Sequence, residues 1–418
     1  MSNIKVSIIT IGDELLIGQT IDTNSAWIAQ KLNALGIDVI RRVAVGDDKL
    51  AITSALDEEL SKSAIVLITG GLGPTADDIT KPLLCEYFGG KLVVDEIVLA
   101  HIVDIFTRRN RPFLDRNMKQ AELPDNCTVL FNKMGTAPGM WFDKDGKIII
   151  AMPGVPFEMM SIMEDEVLPR FEKQFISDAL LHYSVITAGE GESFIAEKIQ
   201  DIEESLPVHI KLAYLPGAGN VKLRLTGRGK DPLALSVELD KYQKQLAERL
   251  RNIVVALEDI PMEQVIAKIL LEKNASIGFA ESCTGGNLGH LITQIPGATD
   301  FFCGSIVSYR EEIKKNVLGV KQETLDNNGV ISEQTAIEMV QGAIRVLNCD
   351  YALSVTGLLG PASDDDEVEV GTVWMAVADK AGTIKTKKFR FYYDRLRNKE
   401  MAVQAAFRMI HKFLLGDL

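Results

Sequence analysis

Between Ile4 and about Pro169 short apolar runs alternate with amphipathic helical stretches, and this order restricts the chain to few architectures. Val6-Ser7-Ile8-Ile9-Thr10-Ile11 reads as a buried strand ending at Gly12-Asp13-Glu14. Asn24 to Leu35 follows as an amphipathic helix closed by Gly36, a residue suited to the position after a helix end. Ile37 to Val45 and Asp48 to Lys62 repeat the strand–helix pair. Ala64 to Thr69 forms a third strand that opens into Gly70-Gly71-Leu72-Gly73-Pro74-Thr75. The order predicts a doubly wound α/β sheet with ligands bound beyond the strand ends.

The chain has 418 residues, too many for one ordinary core, and the pattern changes twice along it. From about 180 to 255 the order is strand, helix, two strands around Pro216-Gly217-Ala218-Gly219-Asn220, a long helix from Pro232, and a last strand at Ile253 to Leu257. This β-α-β-β-α-β order suggests a small α+β module. From Pro261 a third unit begins with the helix Met262 to Glu272 and ends with the helix Asn398 to Leu414. Strands are predicted in it at Gly304 to Tyr309, Tyr351 to Thr356, Gly371 to Ala378 and Thr386 to Phe391. The expected division is therefore 1–170, 171–257 and 258–418, two doubly wound α/β domains joined by a small α+β module.

A net charge of −13 disfavours nucleic acid and anionic membrane as partners, while leaving room for a small phosphorylated ligand. No apolar run approaches the roughly 18 residues of a membrane span. Five scattered cysteines without a C-x-x-C spacing point to a reducing compartment. The N-terminus runs straight into a strand without a signal-peptide layout, so the expected location is cytoplasmic.

The densest chemistry lies in Ala280-Glu281-Ser282-Cys283-Thr284-Gly285-Gly286. It follows the apolar run Ala275 to Phe279, read as a strand, and precedes helically spaced Leu288, Leu291, Ile292 and Ile295. Such a strand-to-helix turn offers backbone N–H groups and a helix dipole to an anion or oxyanion. Ser282 or Thr284 can equally serve as a helix cap. Tyr309 and Lys314, Thr356-Gly357, and Asp394-Arg395 lie at other loop ends of the same unit. His290 is two helical turns beyond Ser282, roughly 12 Å along the axis, so no histidine suits a Ser–His pair. A lysine whose pKa is lowered by burial or neighbouring cations is the natural substitute, and Cys283 is the rival nucleophile.

In the first unit, Gly70 to Asp78 combines glycines, which let amides approach a phosphate, with Asp77 and Asp78, which can hold a hard divalent cation. Capping of a helix beginning near Ile79 is the other reading. Asp13 and Glu14, at a neighbouring strand end, can face the same crevice.

Ile11 to Gln19, Asp22-Thr23-Asn24, Thr69 to Asp78, Gly135 to Gly139 and Pro153 to Pro156 resemble the CinA (competence/damage-inducible) family. The resemblance implies a molybdopterin-binding-like first domain acting as an ADP-ribose pyrophosphatase with a divalent metal cation. Asp78 falls on the family's carboxylate near metal and pyrophosphate, with Asp77 and Asp13 as further metal candidates. Gly70, Gly71, Gly73 and Thr75 would bind substrate. The middle module would be KH-like, but Glu190 and Glu192 stand where an RNA-binding loop is basic, so a spacer or oligomerisation role is expected.

Ala280 to Gly286, Tyr309, Lys314, Thr356-Gly357 and Gly371-Thr372-Val373-Trp374 resemble the nicotinamide-nucleotide amidase domain of the same family. The resemblance implies cofactor-free hydrolysis of nicotinamide mononucleotide to nicotinate mononucleotide and ammonia. Ser282 would attack, Lys314 assisted by Tyr309 would move the proton, and Glu281 would orient the network. Thr284, Gly285, Gly286, Thr356 and Gly357 would bind substrate, with Arg395 on the phosphate and Arg397 in competition. The implied protein is a bifunctional hydrolase of pyridine-nucleotide salvage, a homodimer acting on small-molecule nucleotides. One departure opens a second reading: Gly360-Pro361 is followed by acidic Ser363 to Glu367 instead of further glycines. Carboxylates there would weaken phosphate binding, as in a non-catalytic nucleotide- or pterin-binding protein of a competence or damage response.

Overall fold

Six strands form the first sheet, in the order Asp38–Val45, Lys5–Ile11, Ile65–Thr69, Lys147–Met152, Gly139–Lys144, Thr128–Leu130. The first four are parallel, and the last two join antiparallel. This is a computed structural model, describing residues 4–75, 77–175, 178–217, 219–361 and 368–418. Alternate residues of the central strands enter two separate cores. Val6, Ile8, Ile65 and Leu67 pack with Ile28 and Leu32 of the helix Thr23–Ala34. Ile9, Ile11, Val66 and Ile68 pack with Ile52 and Leu56 of the helix Lys49–Lys62. Continuous apolar strands are what a sheet covered on both faces requires, and the doubly wound reading holds. The antiparallel edge was not foreseen; it begins at Asp145-Gly146, where both residues have positive φ and reverse the chain in two residues.

The chain divides into two compact units, Met1–Leu181 with Arg228–Leu235, and His182–Gly227 with Ser236–Leu418. A four-stranded sheet has the order Ile210–Pro216, Asn220–Gly229, Ala179–Ala188, Val254–Ala256. Its helices are Glu192–Glu204 and Pro232–Arg249, giving the expected α+β order.

The second unit also holds a five-stranded sheet, ordered Phe302–Val307, Ile277–Glu281, Tyr351–Gly357, Thr372–Asp379, Ile384–Arg390. Three parallel strands are followed by two antiparallel ones. One face buries Phe279, Leu353 and Met375 against the helices Met262–Glu272 and Arg395–Leu415. The other presents Ala280, Ala352, Ala376 and Ala378, small enough for the helix Glu333–Leu347 to pack closely through Ala336, Met339 and Val340. Among the described residues no helix is long and apolar enough to cross a membrane.

The strand predicted at Ala275 to Phe279 is displaced to Ile277–Glu281, because both parallel neighbours keep pairing through Glu281. The strand expected at Gly304 to Tyr309 likewise runs from Phe302 to Val307. The chain leaving Ile277–Glu281 and the chain leaving Phe302–Val307 go to opposite faces of the sheet: Leu288 and Ile292 join one core, Leu318 and Leu325 the other. That divergence opens a crevice at the carboxyl ends of the two strands.

Candidate active site

In the crevice Lys314 Nζ donates a hydrogen bond to Ser282 Oγ at 3.0 Å and another to the Ser308 carbonyl at 2.6 Å. Ser282 follows the strand Ile277–Glu281, and its amide donates to Val355 O at 2.9 Å, which anchors the residue to the sheet. Lys314 sits on the helix Glu311–Asn316 and is 2% exposed. Burial lowers its pKa from 10.5, with Cys283 and Glu311 opposing the shift. A lysine that loses its proton more easily, aimed at a hydroxyl, is a usable base. The cleft encloses about 520 Å³ and is lined also by Tyr309, Arg310, Val330, Leu358 and Arg395.

Cys283 is buried beside Ser282, and burial pushes its thiol up to about 12. A thiol held in its neutral form is a poor nucleophile. Tyr309 is exposed, and its hydroxyl accepts from Arg395 Nη2 at 3.0 Å instead of meeting Lys314. Arg395 also donates to the Gly360 carbonyl, so its guanidinium is oriented at the cleft wall. Arg397 pairs with Glu400 at 2.9 Å and does not line the cleft, which separates the two arginines.

Glu281 is placed differently from the expectation. Its fully buried carboxylate accepts from the amides of Gly286, Leu288 and Gly289 at 3.0, 3.1 and 3.0 Å, and from Ser305 Oγ at 2.7 Å. It therefore caps the helix Asn287–Thr293, the role that Ser282 or Thr284 had been able to fill. Its charge holds the turn rather than the Ser282–Lys314 pair. Gly285 and Gly286 take φ of 62° and 91°, left-handed values that let the chain fold back onto this carboxylate. The amides of Cys283 and Thr284 carry no hydrogen bond to another described residue. Thr284 Oγ1 is buried without a partner among the described residues. Thr356 Oγ1 donates to Val330 O at 2.7 Å, fastening the loop before Glu333–Leu347 to the cleft, and Gly357 packs on the backbone of Thr372. The acidic segment Ser363 to Glu367 lies outside the described residues.

The first unit has a cleft of about 440 Å³ at the carboxyl ends of its parallel strands. Gly12, Gly70, Gly71, Gly73, Asp77 and Asp78 line it, as do Asp47, Gln120 and Glu158, which the sequence reading had not selected. Gly46-Asp47 ends a strand just as Gly12-Asp13 does, so a signal for Asp47 was present. Asp78 commits both oxygens to its own loop: Oδ1 accepts from Gly73 N at 2.8 Å, and Oδ2 from Thr75 N at 2.8 Å and from Thr75 Oγ1. A Cβ on Gly73 would collide with this carboxylate. Asp13 and Asp47 exchange backbone-to-carboxylate hydrogen bonds at 3.1 and 3.2 Å. Burial raises the Asp47 carboxyl from its ordinary value, the hydrogen bond from the Asp13 amide opposes that shift, and the charges of Asp13, Glu14 and Asp77 add to it. This crowding of oxygens suits a hard divalent cation in donor type. Among the described residues no three such side chains converge closely enough to hold an ion by themselves. Ligand phosphate oxygens and water would have to complete its shell.

Family models match along the chain in the order of these elements. The probable molybdopterin binding domain matches residues 7–173, the damage-inducible protein CinA KH domain 184–256, and the CinA C-terminal domain 259–414. The chain is 42% identical to a CinA-like protein of Flavobacterium psychrophilum, over 99% of both chains. It belongs to the CinA family. A putative competence-damage inducible protein of Caldicellulosiruptor bescii is 39% identical over 98% of each chain. The crystal structure of the competence damage-inducible protein A from Klebsiella pneumoniae is 31% identical and covers 37% of this CinA-family chain and 95% of its own, with a TM-score of 0.36.

Proposed function

We propose that the second unit hydrolyses the carboxamide of a nicotinamide nucleotide through Ser282 and Lys314, and that the first cleaves the diphosphate of ADP-ribose. The observation that carries the amidase reading is the 3.0 Å contact between a buried lysine and the Ser282 hydroxyl inside a ligand-sized cleft. Neutral Lys314 takes the hydroxyl proton as Ser282 Oγ bonds to the carboxamide carbon. The resulting oxyanion lies within the turn whose Cys283 and Thr284 amides are uncommitted among the described residues. Lys314 then gives its proton to the departing nitrogen, releasing ammonia and leaving an acyl ester on Ser282. Water, deprotonated by Lys314, cleaves that ester to the free acid and restores the serine. Arg395, oriented by Tyr309 and Gly360, meets the phosphate.

Ammonia release from nicotinamide mononucleotide tests this reading. Lys314→Met is expected to lower it roughly 10²–10⁴-fold, the range of a lost general acid–base group. Because only neutral lysine is a base, wild-type turnover rises with pH, and the lowered pKa places that rise below the 10.5 of a free lysine. A wild-type profile with no rise anywhere below pH 10.5, or full turnover by Lys314→Met, would refute the assignment. Tight nucleotide binding without turnover would favour the non-catalytic binder.

In the first unit the Gly71 and Leu72 amides, uncommitted among the described residues, would take diphosphate oxygens. A divalent cation held between Asp47, Asp77 and the diphosphate oxygens, with water completing its shell, would neutralise phosphate charge, while Asp13, which does not line the cleft, would act only through its contact with Asp47. Asp47→Asn is expected to raise the divalent concentration needed for half-maximal ADP-ribose cleavage about tenfold or more. An unchanged metal titration would remove Asp47 from the site.

A further inference from the structure

A second cavity of about 430 Å³ lies in the second unit, between the last turns of the helix Arg395–Leu415 and the segment from Arg251 to Val255. It shares no lining residue with the Ser282 cleft. Phe389, Met409 and Leu415 give it an apolar wall. Arg251, Lys387, Arg408 and Lys412 surround that wall, opposed by Asp417, and Arg251 is paired with Glu248 at 3.5 Å. Lys387, Arg408 and Lys412, without an ion pair among the described residues, face the one acidic side chain of Asp417 and so reverse, locally, the sign of a protein whose net charge is −13.

Two further observations show that the lining is poised for a ligand. Arg408 is held in place by a hydrogen bond from Nη1 to the Gly219 carbonyl at 2.8 Å, and no hydrogen bond occupies its Nη2 and Nε among the described residues. His411 lines the cavity at 7% exposure and has no hydrogen-bond partner among the described residues. An imidazole unpaired on a cavity wall offers its ring nitrogens as donor and acceptor to a molecule that enters. The volume falls within the range of small-ligand sites.

We propose that this cavity binds a phosphorylated small molecule of mononucleotide size. Its phosphate is met by Lys387, Arg408 and Lys412, and its apolar part lies against Phe389, Met409 and Leu415. A guanidinium and two ammonium groups match a dianionic phosphate in charge, and a fixed guanidinium can grip two of its oxygens. The cavity and the Ser282 cleft occupy opposite ends of one helix. Arg395 and His411 are sixteen residues apart, roughly 24 Å along the axis by helix rise.

Hydrogen exchange on the full chain, with AMP as probe, tests the proposal. With AMP at about ten times its dissociation constant, amide exchange in residues 251–255 and 405–415 is expected to slow about tenfold. Lys387→Glu combined with Lys412→Glu is expected to abolish that slowing. The double variant should keep the wild-type melting temperature, and nicotinamide mononucleotide should still protect the turn after Glu281 in it. No slowing with AMP, or slowing that persists in the double variant, overturns the site. Equal slowing by inorganic phosphate alone overturns the mononucleotide size, and stronger protection by a single-stranded RNA overturns the small-molecule class.

Discussion

Ser282→Ala is expected to lower kcat for nicotinamide mononucleotide deamidation by about 10⁴-fold or more, the scale on which removal of an attacking serine is felt in serine hydrolases. The substitution removes the hydroxyl that Lys314 contacts, while the cleft wall and Arg395 stay in place. KM should therefore change little. Cys283→Ala serves as the contrast and is expected to stay within a few-fold of wild type, since burial keeps that thiol protonated up to about 12. Stopped assays of ammonia with both variants decide between the two nucleophiles. Activity that survives in Ser282→Ala and vanishes in Cys283→Ala would reverse the assignment.

Glu281→Ala is expected to have the largest effect on stability in the second unit. It leaves the Gly286, Leu288 and Gly289 amides and the Ser305 hydroxyl without an acceptor at a fully buried position. Each buried donor left unpaired costs about 1–3 kcal/mol, so a loss of about 3 kcal/mol or more is expected even if water enters the gap. Locally, that corresponds to about a hundredfold faster exchange of the three amides. Glu281→Gln should cost less, because one oxygen still accepts, though its NH₂ then faces a donor. Urea unfolding and hydrogen exchange read both effects. Wild-type exchange at Gly286, Leu288 and Gly289 in Glu281→Ala would show that the carboxylate does not hold the turn.

Local pattern carried much of the architecture. Fully apolar strands such as Val6 to Ile11 and Ala64 to Thr69 alternate with amphipathic helices, and burial on both faces of a parallel sheet follows from that alternation. Motif spacing likewise put Ser282, Tyr309, Lys314 and Arg395 at the loop ends of one sheet. All four line one cleft. The edge strands were less legible, because a hairpin such as Gly139–Lys144 with Lys147–Met152 takes its direction from a two-residue turn and not from periodicity.

What the sequence alone determined was which elements exist and which chemical groups end up at their ends, since hydrophobic period and turn residues are local properties. Tertiary structure decided how those groups are used. It turned Glu281 into a helix cap, because the strand continued two residues further and carried the carboxylate under the next helix. It drew Asp78 into its own loop and brought Asp47 beside Asp13 across 34 positions of sequence. It also joined Tyr309 to Arg395, 86 positions apart, and buried Lys314 against Ser282. Hydrogen-bond partners and desolvation depend on distances in space, which residue spacing does not encode.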